Sequence, residues 1–415
     1  MARRGLAVLS GIILLSLLVA AMPFASGCAP KPAVEVERIA TYLSLSDLTG
    51  PTAGMRAQAE EMTGAYVDEV NEKGGVDGVK INFILIDTRY DTARTVAAYK
   101  RYRGEPKLLY VQPPSTEGAR ALAPQWERDK VVGYVPPDGY FQAFPGRMFL
   151  WGPCYQDAFA AMLDWAVADW KARGKPGMPK VGHIGWDSAY GREPLHGGIE
   201  YAEKLGVTVL PPEFFPTGAL KHDVYLTRLA SAGANYIHVG GVDPTPSNVI
   251  RDAYALGLTK DIQFICDYWG PNEAVGVRAH PEALEGTVTY GYFLRGEEAR
   301  EHPFTEVWVK RGLGNLADMP DMIPLGVTWV RGFEFGLREA LKDVSYEELD
   351  GDALFQGLKK LTGVDVNEGF TGPCAWSETD RRGSKLLRFY QVQGSKIVPI
   401  TGWVEAPDAV SLYEW

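Results

Sequence analysis

The sequence is poor in the residues that small stapled or metal-bound folds depend on, with 4 cysteines and 6 histidines among 415 residues. No Cys-x-x-Cys pair or zinc-type spacing occurs, so neither a disulfide framework nor a metal site is expected. The Walker P-loop, Gly-x-Ser-x-Gly, His-Glu-x-x-His and Gly-x-Gly-x-x-Gly signatures are all missing. With no identifiable nucleophile or base, the chain reads as a non-enzyme that carries no cofactor. A basic surplus is lacking too: 42 Lys+Arg stand against 52 Asp+Glu, which excludes a nucleic-acid footprint. Asp87 and Asp91 are too few acids for calcium, and Asp91 reads as a helix cap. There is no low-complexity tract, and no segment after the N-terminal one is apolar enough to cross a bilayer.

What is present begins with a leader. Arg3 and Arg4 precede an apolar run over 6–22, and Pro23-Phe24-Ala25-Ser26-Gly27-Cys28 follows. A basic region, a short apolar region and a small-residue cleavage region in that order read as a secretory signal over 1–27. Ala25-Ser26-Gly27-Cys28 resembles the lipobox of bacterial lipoproteins, with Ala25 where that pattern prefers Leu. The resemblance implies that Cys28 is lipidated and that 28–37 tethers the protein to a membrane from outside the cytoplasm. Stable anchoring needs two or more acyl chains. Cleavage removes two arginines and no acid, so the net charge of −10 becomes about −12. Cys154, Cys266 and Cys374 remain; an odd number leaves at least one unpaired. Buried free thiols are the expectation, with a Cys154–Cys374 bridge as the alternative.

From residue 38 short apolar runs alternate with helix-period segments. Strands are expected over 38–45, 80–87, 108–112 and 131–135, with helices over 54–73, 91–103 and 117–128. In the first helix Met55, Ala59, Met62, Tyr66 and Val70 recur three and four apart, and Gly74-Gly75 ends it. A second series has strands over 181–186, 207–210, 236–239, 263–266 and 287–292. Its helices span 158–173, 192–205, 223–232 and 247–256, and three more lie near 303–311, 324–341 and 352–361. A hairpin is expected where 386–392 and 396–400 flank Gln393-Gly394-Ser395. Strand–helix alternation implies parallel sheets with helices on both faces, and two series imply two sheets.

In open parallel sheets ligands bind beyond the carboxyl ends of the strands. The loops found there are Ser46–Gly54, Pro113–Thr116, Pro136–Tyr140, Asp187–Gly191, Gly240–Pro244 and Asp267–Gly270. They mix polar and aromatic residues, which suits a small ligand held by a few polar groups and flat rings. Ser115 and Thr116 read either as helix caps or as hydroxyls for an anionic or carbonyl group. Asp138 stands in the fourth loop. Asp243 reads equally as a cap or as the partner of a cationic group. Tyr190, Tyr268 and Trp269 stand beside glycines at strand ends, which favours the cleft over the core. His183 and His238 lie in apolar strands and read as satisfied core histidines.

Leu48-Thr49-Gly50-Pro51, Asn71-Glu72-Lys73-Gly74-Gly75-Val76-Asp77-Gly78, Asp187-Ser188-Ala189-Tyr190-Gly191 and Phe370-Thr371-Gly372-Pro373 occur in a recognisable order. Over about residues 38–402 the chain resembles the branched-chain amino-acid (leucine-binding type) solute-binding proteins of ABC transporters, the type I periplasmic binding protein fold. The resemblance implies two interleaved Rossmann-like α/β lobes: lobe 1 from 38–152 and 285–365, lobe 2 from 153–284 and 366–402, with a tail over 403–415. It implies three hinge crossings and a ligand cleft between the lobes. It also implies a stacking role for Tyr190. The family's amine-binding glutamate falls near Asp267 or Tyr268 and is not kept as glutamate; Asp243 is the substitute.

The expected function is therefore capture of a small molecule by a monomer and its delivery to ABC permease subunits. An amino acid, an amide or a small aromatic or carboxylate compound would serve as ligand. The alternative is a sensor of the same fold that signals to a membrane partner.

Overall fold

The computed structural model describes residues 37–135, 139 and 146–414. The leader, Cys28, the tether before residue 37 and Asp138 lie outside the described residues.

Strand β1 (Ile39–Ser46) is buried along nearly its whole length, as a strand inside a covered parallel sheet must be. It pairs in parallel with β2 (Lys80–Asp87) and β3 (Leu108–Gln112). With β4 (Val132–Val135) and β5 (Met148–Leu150) it forms a five-stranded parallel sheet ordered β2-β1-β3-β4-β5. Helices α1 (Ala53–Glu72), α2 (Thr92–Tyr102) and α3 (Thr116–Asp129) make the crossovers. Helix α1 stops where Gly74 and Gly75 take φ of +99° and +77°. Asp91 caps α2 as expected, its Oδ1 accepting from Arg94 N at 2.7 Å.

Helix α4 (Tyr155–Ala172) leads into a nine-stranded mixed sheet. Its parallel part contains β6 (Lys180–Trp186), β7 (Thr208–Val209), β8 (Glu213–Phe215), β9 (Tyr236–Val239), β10 (Gln263–Cys266) and β11 (Val288–Gly291). Helices α5 (Gly198–Leu205), α6 (Asp223–Ser231) and α7 (Thr245–Ala255) lie between these strands in sequence. Strand β12 (Leu386–Gln393) joins β11 antiparallel and turns at Gly394-Ser395, both at positive φ, into β13 (Lys396–Pro399). Between β11 and β12 the chain returns to the first sheet. There α8 (Leu325–Leu341) packs on α1 and on α9 (Gly351–Lys359), which reaches β3 and β4. The two lobes are thus interleaved along the chain.

Three features differ from the sequence reading. The helix expected over 192–205 is broken, because Pro194 and Gly197, at φ +88°, split it into a turn at Ala189–Arg192 and α5. Strands β5 and β8 have three residues each, too few to show a period of two. Strand β11 belongs to the second sheet, so the return to lobe 1 comes after Gly291 rather than at 285. The tail is tied to lobe 2: β14 (Val404–Glu405) pairs with β12, and Asp157 accepts from the Ala409 and Val410 amides. Cys154, Cys266 and Cys374 are buried and none is in a disulfide, so no Cys154–Cys374 bridge forms. No helix among the described residues is long and apolar enough to cross a membrane.

Candidate ligand-binding site

The carboxyl ends of both sheets face one cleft. A cavity there is walled by Thr52, Arg56 and Tyr90 from lobe 1, and by Tyr155, Tyr190 and Trp269 from lobe 2. Met55, Pro114 and Val242 complete its apolar surface. Thr52 and Arg56 stand at the start of α1, and Pro114 stands two residues before α3, so two helix N-termini open toward the same space. The cavity is narrow, about 30 Å³ for the centre of a water molecule. That is tight for a solute, and parting of the two walls would enlarge it.

Tyr190 is the most firmly held ring. The turn carrying it is capped by Ser188, whose Oγ accepts from Gly191 N at 3.1 Å. Gly191 has no room for a side chain, since a Cβ would collide with the Trp186 carbonyl. The Tyr190 hydroxyl donates to Asp267 and accepts from Gly241 N at 2.8 Å. Its ring centroid lies 5.0 Å from that of Tyr155, whose hydroxyl accepts from Trp269 Nε1 at 2.8 Å. Three aromatic side chains of lobe 2 therefore form one braced wall. Tyr90 faces it from lobe 1, 6.0 Å from Trp186 in an edge arrangement.

The acids behind this wall are occupied. Asp267 is fully buried, and it accepts from Trp269 N at 3.0 Å as well as from Tyr190. Burial pushes its carboxyl up to about 7, against the pull of those hydrogen bonds. Asp243 accepts from Ser247, from Gly276 N at 3.0 Å and from Asn272 N at 3.4 Å. Burial raises it to about 6. In lobe 1 Asp47 is spent on Gly50 N, Thr52 N and Thr52 Oγ1.

The lobes also touch beside the cavity. Glu117 Oε1, in the first turn of α3, accepts from Ala189 N at 2.7 Å, at the start of the turn that carries Tyr190. Arg120 pairs with the buried Glu193, which also accepts from Gln156 Nε2 at 2.6 Å. His183 and His238 are core residues as expected. Their Nδ1 atoms meet at 2.8 Å, and the outer nitrogens reach Gly191 O and the Tyr290 hydroxyl. Burial pushes His183 down to about 4, which keeps it neutral.

Of the sequence candidates, Tyr190 and Trp269 line the cavity. Ser115 caps α3, accepting from Gly118 N at 3.0 Å, and Thr116 beside it is fully buried with no partner for its hydroxyl among the described residues. Asp243 stands behind the lining. Tyr268 lies in the core, its hydroxyl donating to Pro153 O at 3.1 Å. Sequence reasoning missed Arg56, Tyr90 and Tyr155. A signal existed for the first: Arg56 and Glu60, four apart, fall among the apolar positions of α1, where a charge pair is out of place. Among the described residues no cluster of three or more His, Cys, Asp or Glu could hold a metal ion.

The profile of a family described as periplasmic binding protein matches residues 44–396. An amino acid binding protein of Pseudomonas aeruginosa is 22% identical over 216 residues, and the match spans 51% of this chain and 56% of that protein. Among solved structures, a branched chain amino acid ABC transporter protein from Thermus thermophilus with bound valine superposes with TM-score 0.77 at 19% identity. That match covers 90% of this chain and 98% of the other. A fatty acid ABC transporter substrate-binding protein from Thermomonospora curvata gives TM-score 0.77 at 16% identity, covering 91% and 94%.

Proposed function

From the chain's membership of the periplasmic binding protein family, we propose that it captures a small solute between its two lobes and delivers it to the permease of an ABC importer. The observation that carries this reading is a cavity walled by residues of both lobes, too narrow to receive a solute without movement of its walls. A solute held there touches both lobes at once, so its binding energy favours the arrangement in which they meet. Affinity in the micromolar range needs about −8 kcal/mol, which several hydrogen bonds and one or two stacked rings supply. The solutes in the names of two relatives, an amino acid and a fatty acid, both carry a carboxylate, so amino acids and small carboxylates lead the solutes to test, with amides as their uncharged counterparts.

The test combines a thermal-shift screen with solution scattering. A compound that raises the melting temperature by mass action should also reduce the radius of gyration. Binders that leave the dimensions unchanged would count against capture by closure.

Lipid attachment at Cys28 belongs to the same reading, because a receptor held at the membrane stays near its permease. Changing Cys28 to Ser should move the protein from the membrane fraction to the soluble fraction. Unchanged fractionation would reject the anchor.

A further inference from the structure

Arg56 is an unusual residue for the inner face of a helix. Its side chain is almost completely buried, and it stands in the first turn of α1 at the cavity wall. The guanidinium lies over the Trp329 ring, 4.4 Å from its centroid. Its Nε donates to Ser46 Oγ at 3.3 Å, and its Nη2 donates to Glu60 Oε1 at 3.1 Å. Its Nη1 has no hydrogen-bond partner among the described residues. A guanidinium held over a ring and by two of its nitrogens, with the third left over beside a cavity, is a prepared site for an anion.

Glu60 does not cancel this charge in full. It is completely buried, and only Oε1 has partners, from Arg56 and from Ser44 Oγ at 2.9 Å, while Oε2 has none. Burial pushes its carboxyl up toward the neutral form. The α1 and α3 N-termini add positive potential on the same side.

The opposite charge is met less directly: the spare carboxylate oxygen on this side, Oε2 of Glu117, is buried without a partner among the described residues, beside the Ala189 amide and outside the cavity lining. Among the described residues that line the cavity none is an acid. Asp47, Asp243 and Asp267 are each saturated by neighbouring amides and hydroxyls, the last behind Tyr190. An α-ammonium group in the cavity would therefore lose its water shell without meeting a carboxylate among the described lining residues, an unfavourable exchange for a charge. A plain carboxylate would gain a charge-assisted bond from Arg56 and set its apolar body against Tyr155, Tyr190 and Trp269.

The geometry points to a monocarboxylate with an aromatic or branched apolar body and no α-ammonium as the solute class, with Arg56 as its specificity-determining partner. This rests on the capture reading given above.

The experiment is calorimetric titration of the mature protein with matched probes: 3-phenylpropanoate, 3-phenylpropanamide and phenylalanine, then 4-methylpentanoate and leucine. Each acid is expected to bind at least about tenfold more tightly than its amide or amino-acid counterpart, a difference of about 1.4 kcal/mol. Because Arg56 is the cation paired with the buried Glu60, the test variant is Arg56→Met with Glu60→Gln, and Arg56→Lys is the conservative control. The double variant should lose the preference for acid over amide, and the lysine variant should keep part of it. Overturning results are amino acids binding as tightly as the acids, acid preference surviving in the double variant, or no acid binding at millimolar concentration. An acid that binds through Arg56 without compacting the protein in scattering would uphold the carboxylate assignment and sink capture by closure.

Discussion

Replacing Asp321 with alanine is expected to destabilise the protein by about 3–5 kcal/mol, read as a lower denaturant midpoint. Asp321 and Arg295 are both completely buried, and Arg295 Nε donates to Asp321 Oδ2 at 2.9 Å. The remaining groups are used as well. Arg295 Nη1 donates to Thr289 Oγ1 at 3.0 Å, and Nη2 donates to the Pro271 carbonyl. Asp321 Oδ1 accepts from Asn272 at 2.8 Å, and Oδ2 also accepts from Gly296 N. The pair joins the loop after β10, strand β11 and the segment before α8. Removal of the carboxylate strands a guanidinium out of reach of water. The paired replacement Arg295→Met with Asp321→Leu strands no charge and should recover much of the loss. A single-variant cost below about 1 kcal/mol would mean that water reaches this site.

Tyr190 separates binding from stability. Tyr190→Ala is expected to weaken binding of any cleft ligand by about thirtyfold or more, roughly 2 kcal/mol, because it removes the ring at the centre of the aromatic wall. Tyr190→Phe keeps that ring and should bind within a few-fold of the parent. It nevertheless leaves Gly241 N without an acceptor and Asp267 without its hydroxyl donor, at a stability cost of about 1–3 kcal/mol. The pH dependence gives a further check. Burial, opposed by hydrogen bonds, raises the Asp267 carboxyl from 3.8 to about 7, so the folded chain holds this proton more tightly than the unfolded chain. Stability from this group is complete below about pH 3.8 and is lost as pH rises to about 7. Losing the Tyr190 hydroxyl should carry the decline further up in pH. Equal binding by the alanine variant and the parent would remove Tyr190 from the site.

The strand–helix rhythm made both sheets, their parallel cores and the closing hairpin legible before any coordinates. The loops after strands led to Tyr190 and Trp269, because topology alone puts those positions at the cleft. The rule names a loop and not a direction. Asp243 and Tyr268 sit in the same loops yet turn inward, one to the amides of residues 272 and 276, the other into a cluster of aromatic rings. Arg56, Tyr90 and Tyr155 escaped the rule for a different reason. They arrive from the first turn of α1, from a loop residue at φ +62° and from the first residue of α4. Strand periodicity carries no information about any of these three. The boundary at 285 came from the family resemblance and not from periodicity, whereas β11 pairs with β10 and β12 inside the second sheet.

The Glu117 contact with the Ala189 amide bears on how long a guest stays. Its acceptor lies three residues after Pro114 of the cavity wall, and its donor lies one residue before Tyr190. Parting the lobes breaks that bond to the Ala189 amide and pulls Arg120 from the buried Glu193 at the same time. Such a step raises the barrier to opening even where it adds little to the final affinity. Release should therefore be slow and strongly temperature-dependent, and Glu117→Gln should shorten the residence time while leaving the arrival rate nearly unchanged.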